Sequence, residues 1–225
     1  MNRSDIQGFD ISGFSAAVIG CGGLGCSIAV HLAGSGIGKL HLCDYDVVSQ
    51  SNLNRQFLYT EQDIGEEKVF RAEKRLRDYN SGVDILSHNL KITNTDDLSF
   101  ASACDIIFLA ADNNAARKTA AEFCAKRGIP LVNGGINGSF GTAYLYVPGV
   151  SPCPECAGLL ENIPEKIRSV SMTAGIIGAL EAQLGIRHLL APEREAGGVL
   201  HVYDNGTVAK LKIKPNPDCG ICGQK

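Results

Sequence analysis

Apolar residues in the first part of the chain gather into short runs at 15–20, 39–43, 104–111 and 129–133, with a weaker run from Val83 to Leu86. Runs of this length, closed by glycine and polar residues, predict buried parallel strands. The stretches between them, near 24–35, 66–79 and 113–127, are longer and read as helices. Strand and helix thus alternate, as a parallel sheet covered on both faces requires. After Asn133 the texture changes. GGINGSFGTAYLYVPG predicts a turn and an antiparallel strand, and GVLHVYDNGTVAKLKI places Asp-Asn-Gly between two apolar alternations, a strong hairpin signal. Between these lies 173–190, where Ile177, Leu180 and Leu184 recur at helical spacing on a buried face. The segment 157–171 combines a proline, charges and weak periodicity and is expected to be a mobile loop.

Composition narrows the class. At 225 residues and 44% hydrophobic content, the chain is long enough for one sizeable core that buries about 70–75% of its unfolded surface. One domain, 1–225, is expected, with a nucleotide-binding half at 1–133 and an antiparallel half at 134–225. Net charge is −3 with both signs interspersed, so there is no basic footprint for nucleic acid and no polybasic anchor for a membrane. The opening MNRSDIQGFD has no apolar run like a signal peptide, and the apolar segment Met172 to Leu190 is interrupted by Glu181, Arg187 and His188. The expected location is cytoplasmic.

The candidate chemistry begins at Gly20 to Gly25, GCGGLG, set between the apolar run Ala16 to Ile19 and a helix-forming segment. Such glycines let the backbone turn tightly against a phosphate, while the following helix start offers free N–H groups. Asp44 ends the next strand, about twenty residues on, where an acid accepts hydrogen bonds from ribose hydroxyls. NAD and ATP fit this opening equally well. The polar stretch that follows separates them, because Asn52, Arg55, Gln56 and Lys68 supply donors and two positive charges suited to a polyphosphate. Asp112 ends the strongest apolar run, CDIIFLAAD. It is expected to face the same pocket as Asp44 and to suit Mg2+, which prefers one or two carboxylates plus phosphate oxygens.

Nine cysteines, an odd number in a chain without a secretion signal, argue for thiols and metal over disulfides. Cys153 and Cys156 form one Cys-x-x-Cys, and Cys219 and Cys222 form another. Four thiolates at this spacing predict a closed tetrahedral Zn2+ site that staples the C-terminal hairpin to the sheet. Cys21, Cys26, Cys43, Cys104 and Cys124 read as core residues, with Cys21 set apart by its place in the glycine loop. The five histidines are scattered without ligand spacing and read as structural.

Taken together, GCGGLG, DYD, SNLNRQF, the later lysine, ADNNAAR and the paired Cys-x-x-Cys resemble the ThiF/MoeB/HesA family of sulfur-carrier-protein adenylyltransferases, relatives of ubiquitin-activating enzymes. The resemblance runs from about residue 15 to the end. It implies a Rossmann-like, mostly parallel sheet continuing into antiparallel strands, with a carrier-binding second half. It also implies adenylation, by MgATP, of the C-terminal carboxylate of a small β-grasp sulfur carrier ending in Gly-Gly. Carried over onto this chain, Gly20, Gly22 and Gly23 approach the nucleotide, and Asp44 holds the ribose. Asn52, Arg55, Gln56 and Lys68 bind phosphates, and Asp112 holds magnesium. Arg55, Lys68 and Asp112 are then the catalytic set. A homodimer and a separate persulfide-bearing desulfurase are further implications.

Two departures stand out. Thiol-transferring relatives place a cysteine before the Thr-Ala-Gly that opens the late helix, and here that position is Ser171, expected to cap the helix. Relatives also have a longer leader with an arginine that reaches a neighbouring subunit, whereas this one offers Arg3. Three other classes compete: a non-catalytic module that docks a ubiquitin-like partner, an NAD-dependent oxidoreductase, and a tRNA-modifying dehydratase of related fold. The sequence leaves the pathway open among thiamine, molybdopterin, cysteine and specialised metabolites.

Overall fold

The computed structural model describes residues 7–160 and 168–223, so Arg3 and part of the 157–171 loop lie outside it. Its strands form one eight-stranded sheet in the order β3-β2-β1-β4-β5-β6-β7-β8. The first five are β1 (Ser15–Ile19), β2 (Lys39–Cys43), β3 (Asp84–His88), β4 (Ile106–Leu109) and β5 (Leu131–Asn137). Every neighbouring pair among them is parallel. β6 (Phe140–Tyr146), β7 (Val199–Asp204) and β8 (Thr207–Lys212) continue the sheet antiparallel. The predicted change from parallel to antiparallel is therefore present, and the hairpin between β7 and β8 turns on Asn205 and Gly206, both at positive φ.

Four longer helices cover the sheet: α1 (Gly23–Gly34), α2 (Lys68–Tyr79), α3 (Asn114–Arg127) and α4 (Ser171–Leu190). Alternation along each central strand splits the core into two. Val18, Leu40, Phe108 and Val132 pack with α1, α2 and α4 on one face. Ile19, Ile107, Leu109 and Leu131 pack with Ala116, Ala120 and Cys124 of α3 on the other. α2 shows how the sequence selects its orientation: Val69, Ala72 and Leu76 are buried at helical spacing while its arginines and lysines face outward, apart from Lys68 at its first residue. Among the described residues no helix is long and apolar enough to cross a membrane.

Three expectations need correction. The run 104–111 is strand only over Ile106–Leu109, which leaves Asp112 in the connection beyond the strand end. The run 129–133 extends further than expected, because β5 continues straight through Gly134 and Gly135 to Asn137, and the expected turn falls at Gly138 ahead of the antiparallel β6. Gly134 serves a close approach and not a turn: a Cβ there would lie 2.5 Å from Cδ of Glu181 on α4. Ser171 is the first helical residue of α4, whose N-cap is Val170 with no side-chain cap, so the serine does not cap the helix.

Candidate functional site

The chain leaves β1 toward α1 and β2 on one side, and returns through β4 and β5 on the other. Ligands of open parallel sheets sit at the carboxyl ends of the strands where the order reverses in this way. A cleft of about 630 Å³ lies there, floored by Gly20, Gly22 and Gly23 and walled by Asp44, Lys68 and Asp112. Asn52, Arg55 and Gln56 line it as well, so all nine residues expected to hold nucleotide border the same space.

Backbone geometry explains the floor. Gly20 has φ of +96°, and a Cβ on it would stand 2.8 Å from the carbonyl oxygen of Ala110. A side chain at Gly25 would collide with the carbonyl of Gly20, so the first turn of α1 can close onto the loop only as glycine. This compaction brings the β1 loop against the β4 connection that carries Asp112.

Asp44 is buried and already engaged. Its Oδ2 accepts from the Cys21 backbone N–H at 2.6 Å, and its Oδ1 accepts from the Asp46 N–H at 2.8 Å. Burial pushes its carboxyl above the usual range, while those N–H groups and Lys68 pull it down. One lone pair on each oxygen remains for a ribose. Lys68 Nζ lies 2.9 Å from Oδ2 of Asp46, the second acid of the DYD motif, to which the sequence alone gave no role. Arg55 donates from Nη1 to Ser51 O at 3.0 Å and to Asn54 Oδ1 at 2.8 Å, both neutral acceptors, and has no carboxylate partner among the described residues. Gln56 is 3% exposed, and its Oε1 has no partner among the described residues.

Asp112 is exposed to the cleft. It is not a helix cap, since Asn113 takes that position and accepts from the Ala116 N–H at 2.8 Å. A solvent-facing carboxylate beside phosphate-sized space is a hard oxygen donor of the kind Mg2+ takes. Arg117, one turn into α3, closes the ADNNAAR motif but was given no role from sequence. It is 7% exposed and donates to Ala111 O at 2.9 Å, Asn133 Oδ1 at 2.9 Å and Gly134 O at 2.7 Å. The loop bearing Asp112 is thereby tied to β5.

A strap crosses the far side of the cleft. Gly138 N–H donates to Arg168 O at 2.6 Å, and Asn54 Nδ2 donates to Ser169 O at 3.3 Å. Ser169 lines the cleft just before α4 begins.

The four clustered cysteines meet away from this cleft. Their sulfurs all lie within 4.8 Å of one another, with Cys153 to Cys219 at 3.4 Å, Cys156 to Cys222 at 3.6 Å and Cys153 to Cys156 at 4.0 Å. These distances are far beyond a disulfide bond. They bracket the edge of about 3.8 Å that four sulfurs at ~2.3 Å from one zinc would have. The Asn216 N–H also points at Cys156 Sγ, at 3.4 Å, as a donor to a thiolate would. The other five thiols are buried. Desolvation pushes Cys26 and Cys43 up to about 12 and Cys104 up to about 11, and raises Cys21 and Cys124 as well. Two histidines prove less scattered than their spacing suggests: His41 Nδ1 and His88 Nε2 are 3.0 Å apart, stacked beside Phe100.

Comparison with known proteins agrees with this arrangement. A family profile described as ThiF family matches residues 9–221. A protein named adenylyltransferase and sulfurtransferase MOCS3, from Anopheles gambiae, is 33% identical over 219 residues, covering 93% of this chain and 50% of the relative. The molybdopterin-synthase adenylyltransferase of Escherichia coli K12 is 32% identical over 233 residues, covering 97% of this chain and 93% of the relative. The chain thus spans about half the length of the MOCS3 relatives it matches. Among solved structures, E. coli MccB with ATP superposes with a TM-score of 0.84 at 25% identity, over 95% of this chain and 67% of that one. MccB with AMPCPP and MccA gives 0.83 at 26%, over 95% and 68%.

Proposed function

The chain belongs to the ThiF family, and from that premise we propose that it adenylates the C-terminal carboxylate of a small protein or peptide with ATP. One observation carries the reading. A glycine floor, a ribose-suited acid, two cations and an outward carboxylate converge on one cleft although they come from five separate segments. In the proposed reaction a carboxylate oxygen of the partner attacks the α-phosphorus and the bond to the bridging oxygen breaks. Acyl-adenylate and pyrophosphate are the products, and no proton need move, because the attacking group is already ionised at neutral pH.

Each residue has a defined share. The glycine loop and Asp44 would fix the nucleoside end. Arg55 and Lys68 would neutralise charge that builds on the departing pyrophosphate, which is where preorganised cations act most strongly. Asp112 would hold Mg2+, which when bound would neutralise phosphate charge. The four cysteines would hold zinc as a closed structural site, with no position left for water.

A sulfur carrier ending in Gly-Gly is the finer reading of the partner, favoured by the relatives named for molybdopterin synthase. The likeness to MccB with MccA favours a second acceptor class, a peptide terminus. ATP–pyrophosphate exchange driven by purified carriers and by short peptides separates the two. Exchange with neither, in protein that binds no ATP, would overturn the proposal.

A further inference from the structure

Glu181 sits in the middle of α4 with no exposed surface, and neither carboxyl oxygen has a hydrogen-bond partner among the described residues. Leaving a buried polar group unpaired costs about 1–3 kcal/mol, and an apolar side chain would fill the same space without that penalty. The acid is also not incidental to the sheet, since it takes the volume that a side chain on Gly134 would need. On the other side of that glycine stands Arg117, whose Nη2 donates to the Gly134 carbonyl. The guanidinium feels two carboxyl groups, Glu181 from the interior and Asp112 from the cleft.

Resting on the assignment of Asp112 to a divalent cation, we propose that Glu181 is a positioning residue that shares the Arg117 charge with Asp112. With Glu181 ionised, Arg117 is balanced from the interior and Asp112 is left to the cation. With a proton on Glu181, the balance of Arg117 falls on Asp112 and the cation binds less well. The proton passes to solvent, so no other reactant is needed.

The surroundings make the coupling specific. Arg117 of α3 is the charged group acting on Glu181, with Asp112 behind it. Among the described residues, those packed against α4 next to Glu181 include Gly134 of β5, Gly141 of β6 beneath Ile177 and Ser27 of α1 beneath Gly178, all uncharged, while the Arg187–Glu195 pair lies further along the helix. Burial pushes the Glu181 carboxyl up to about 8, against the pull of Arg117, so its two forms exchange near neutral pH.

The test measures free Mn2+ by electron paramagnetic resonance, under nitrogen, with wild-type protein, Glu181→Gln and Asp112→Asn in α,β-methylene-ATP. Wild-type affinity divided by Glu181→Gln affinity removes the nucleotide's own titration. That ratio is expected to rise about fivefold between about pH 7 and about pH 9, within the usual range of coupling between sites. A ratio that stays constant while Asp112→Asn binds weakly overturns the role of Glu181 alone. Undiminished binding by Asp112→Asn overturns the cation assignment and this inference with it. Should Glu181→Gln fail to fold, carboxyl 13C resonances of the wild type give the same answer, because linkage is reciprocal. Adding Mg2+ with the analogue must lower the midpoint of the buried glutamate, and an unmoved midpoint overturns the proposal.

Discussion

Lys68 places its ammonium 2.9 Å from Oδ2 of Asp46, with the lysine side chain 7% exposed and the carboxylate 49% exposed. The lysine is therefore held from the solvent side while its head borders the cleft. On the proposed function, a polyphosphate entering the cleft would meet a cation already aimed, and Asp46 could yield it toward solvent because that carboxylate is half exposed.

Lys68→Ala and Arg55→Ala are each expected to lose about 2 kcal/mol of transition-state stabilisation, close to thirtyfold in kcat/KM for pyrophosphate exchange. Asp46→Asn keeps the cation and removes its aim, so it should cost less than either. Exchange assays at saturating partner measure all three. Near-normal rates in Lys68→Ala would mean that phosphate binds elsewhere.

One zinc per chain is expected, bound by Cys153, Cys156, Cys219 and Cys222 with Zn–S distances of about 2.3 Å. X-ray absorption and metal analysis of reduced protein give the count and the distances. Chelation should release the residues beyond β8 to proteolysis first. Metal-free protein with unchanged protease resistance would contradict the assignment.

No covalent bond between enzyme and partner is expected to accumulate. Ser171 lacks a thiol, and the other five cysteines are buried with their thiolates disfavoured. Even Cys21, inside the glycine loop, has its thiol enclosed. Denaturing mass spectrometry after incubation with MgATP and partner, with and without reductant, is the check. A reductant-sensitive adduct on any of the five would show that burial had been relieved on binding.

Glu181 should make stability fall as pH rises. The folded chain keeps its proton up to about pH 8, whereas the unfolded chain releases it near the ordinary value of 4.5. Between those limits the folded state binds more protons, so the stabilising contribution is complete below the lower value and gone above the upper one. Urea unfolding of wild type and Glu181→Gln across this window should give curves that separate with rising pH. Parallel curves would place the carboxyl in a wetter setting than its burial implies.

Local signals made half of this site legible. The strand, glycine turn and helix around Gly20 are neighbours in sequence, and each cysteine pair is fixed by its own spacing, so no distant partner was needed to read them. Other features depend on which segments the sheet brings together. Gly134 stood in the sequence only as one glycine of a turn-and-strand segment, yet its use here is to admit Glu181 from a helix 47 positions later. Glu181 registered only as a charge that interrupts an apolar segment. Its meaning required Arg117, which reaches the same glycine from the opposite face. Asp46 was hidden because exposed acids are common, and only its distance to Lys68 distinguishes it.

The sulfur cluster also fixes an order of events. Cys153 and Cys219 lie 66 positions apart, and the span between them contains the strap, α4 and the last hairpin. By the relation used for disulfides, a cross-link of that length removes about 4 kcal/mol of loop-closure entropy from the unfolded chain. The ring cannot close until Cys219 has been synthesised, whereas all five parallel strands precede its first sulfur. The glycine loop at Gly20 and the parallel strands behind it can therefore form on a nascent chain before the four sulfurs can meet. If the four sulfurs hold zinc and the cleft holds ATP, as proposed, a cell short of zinc would accumulate chains whose cleft is built while the segment beyond Cys153 stays untethered.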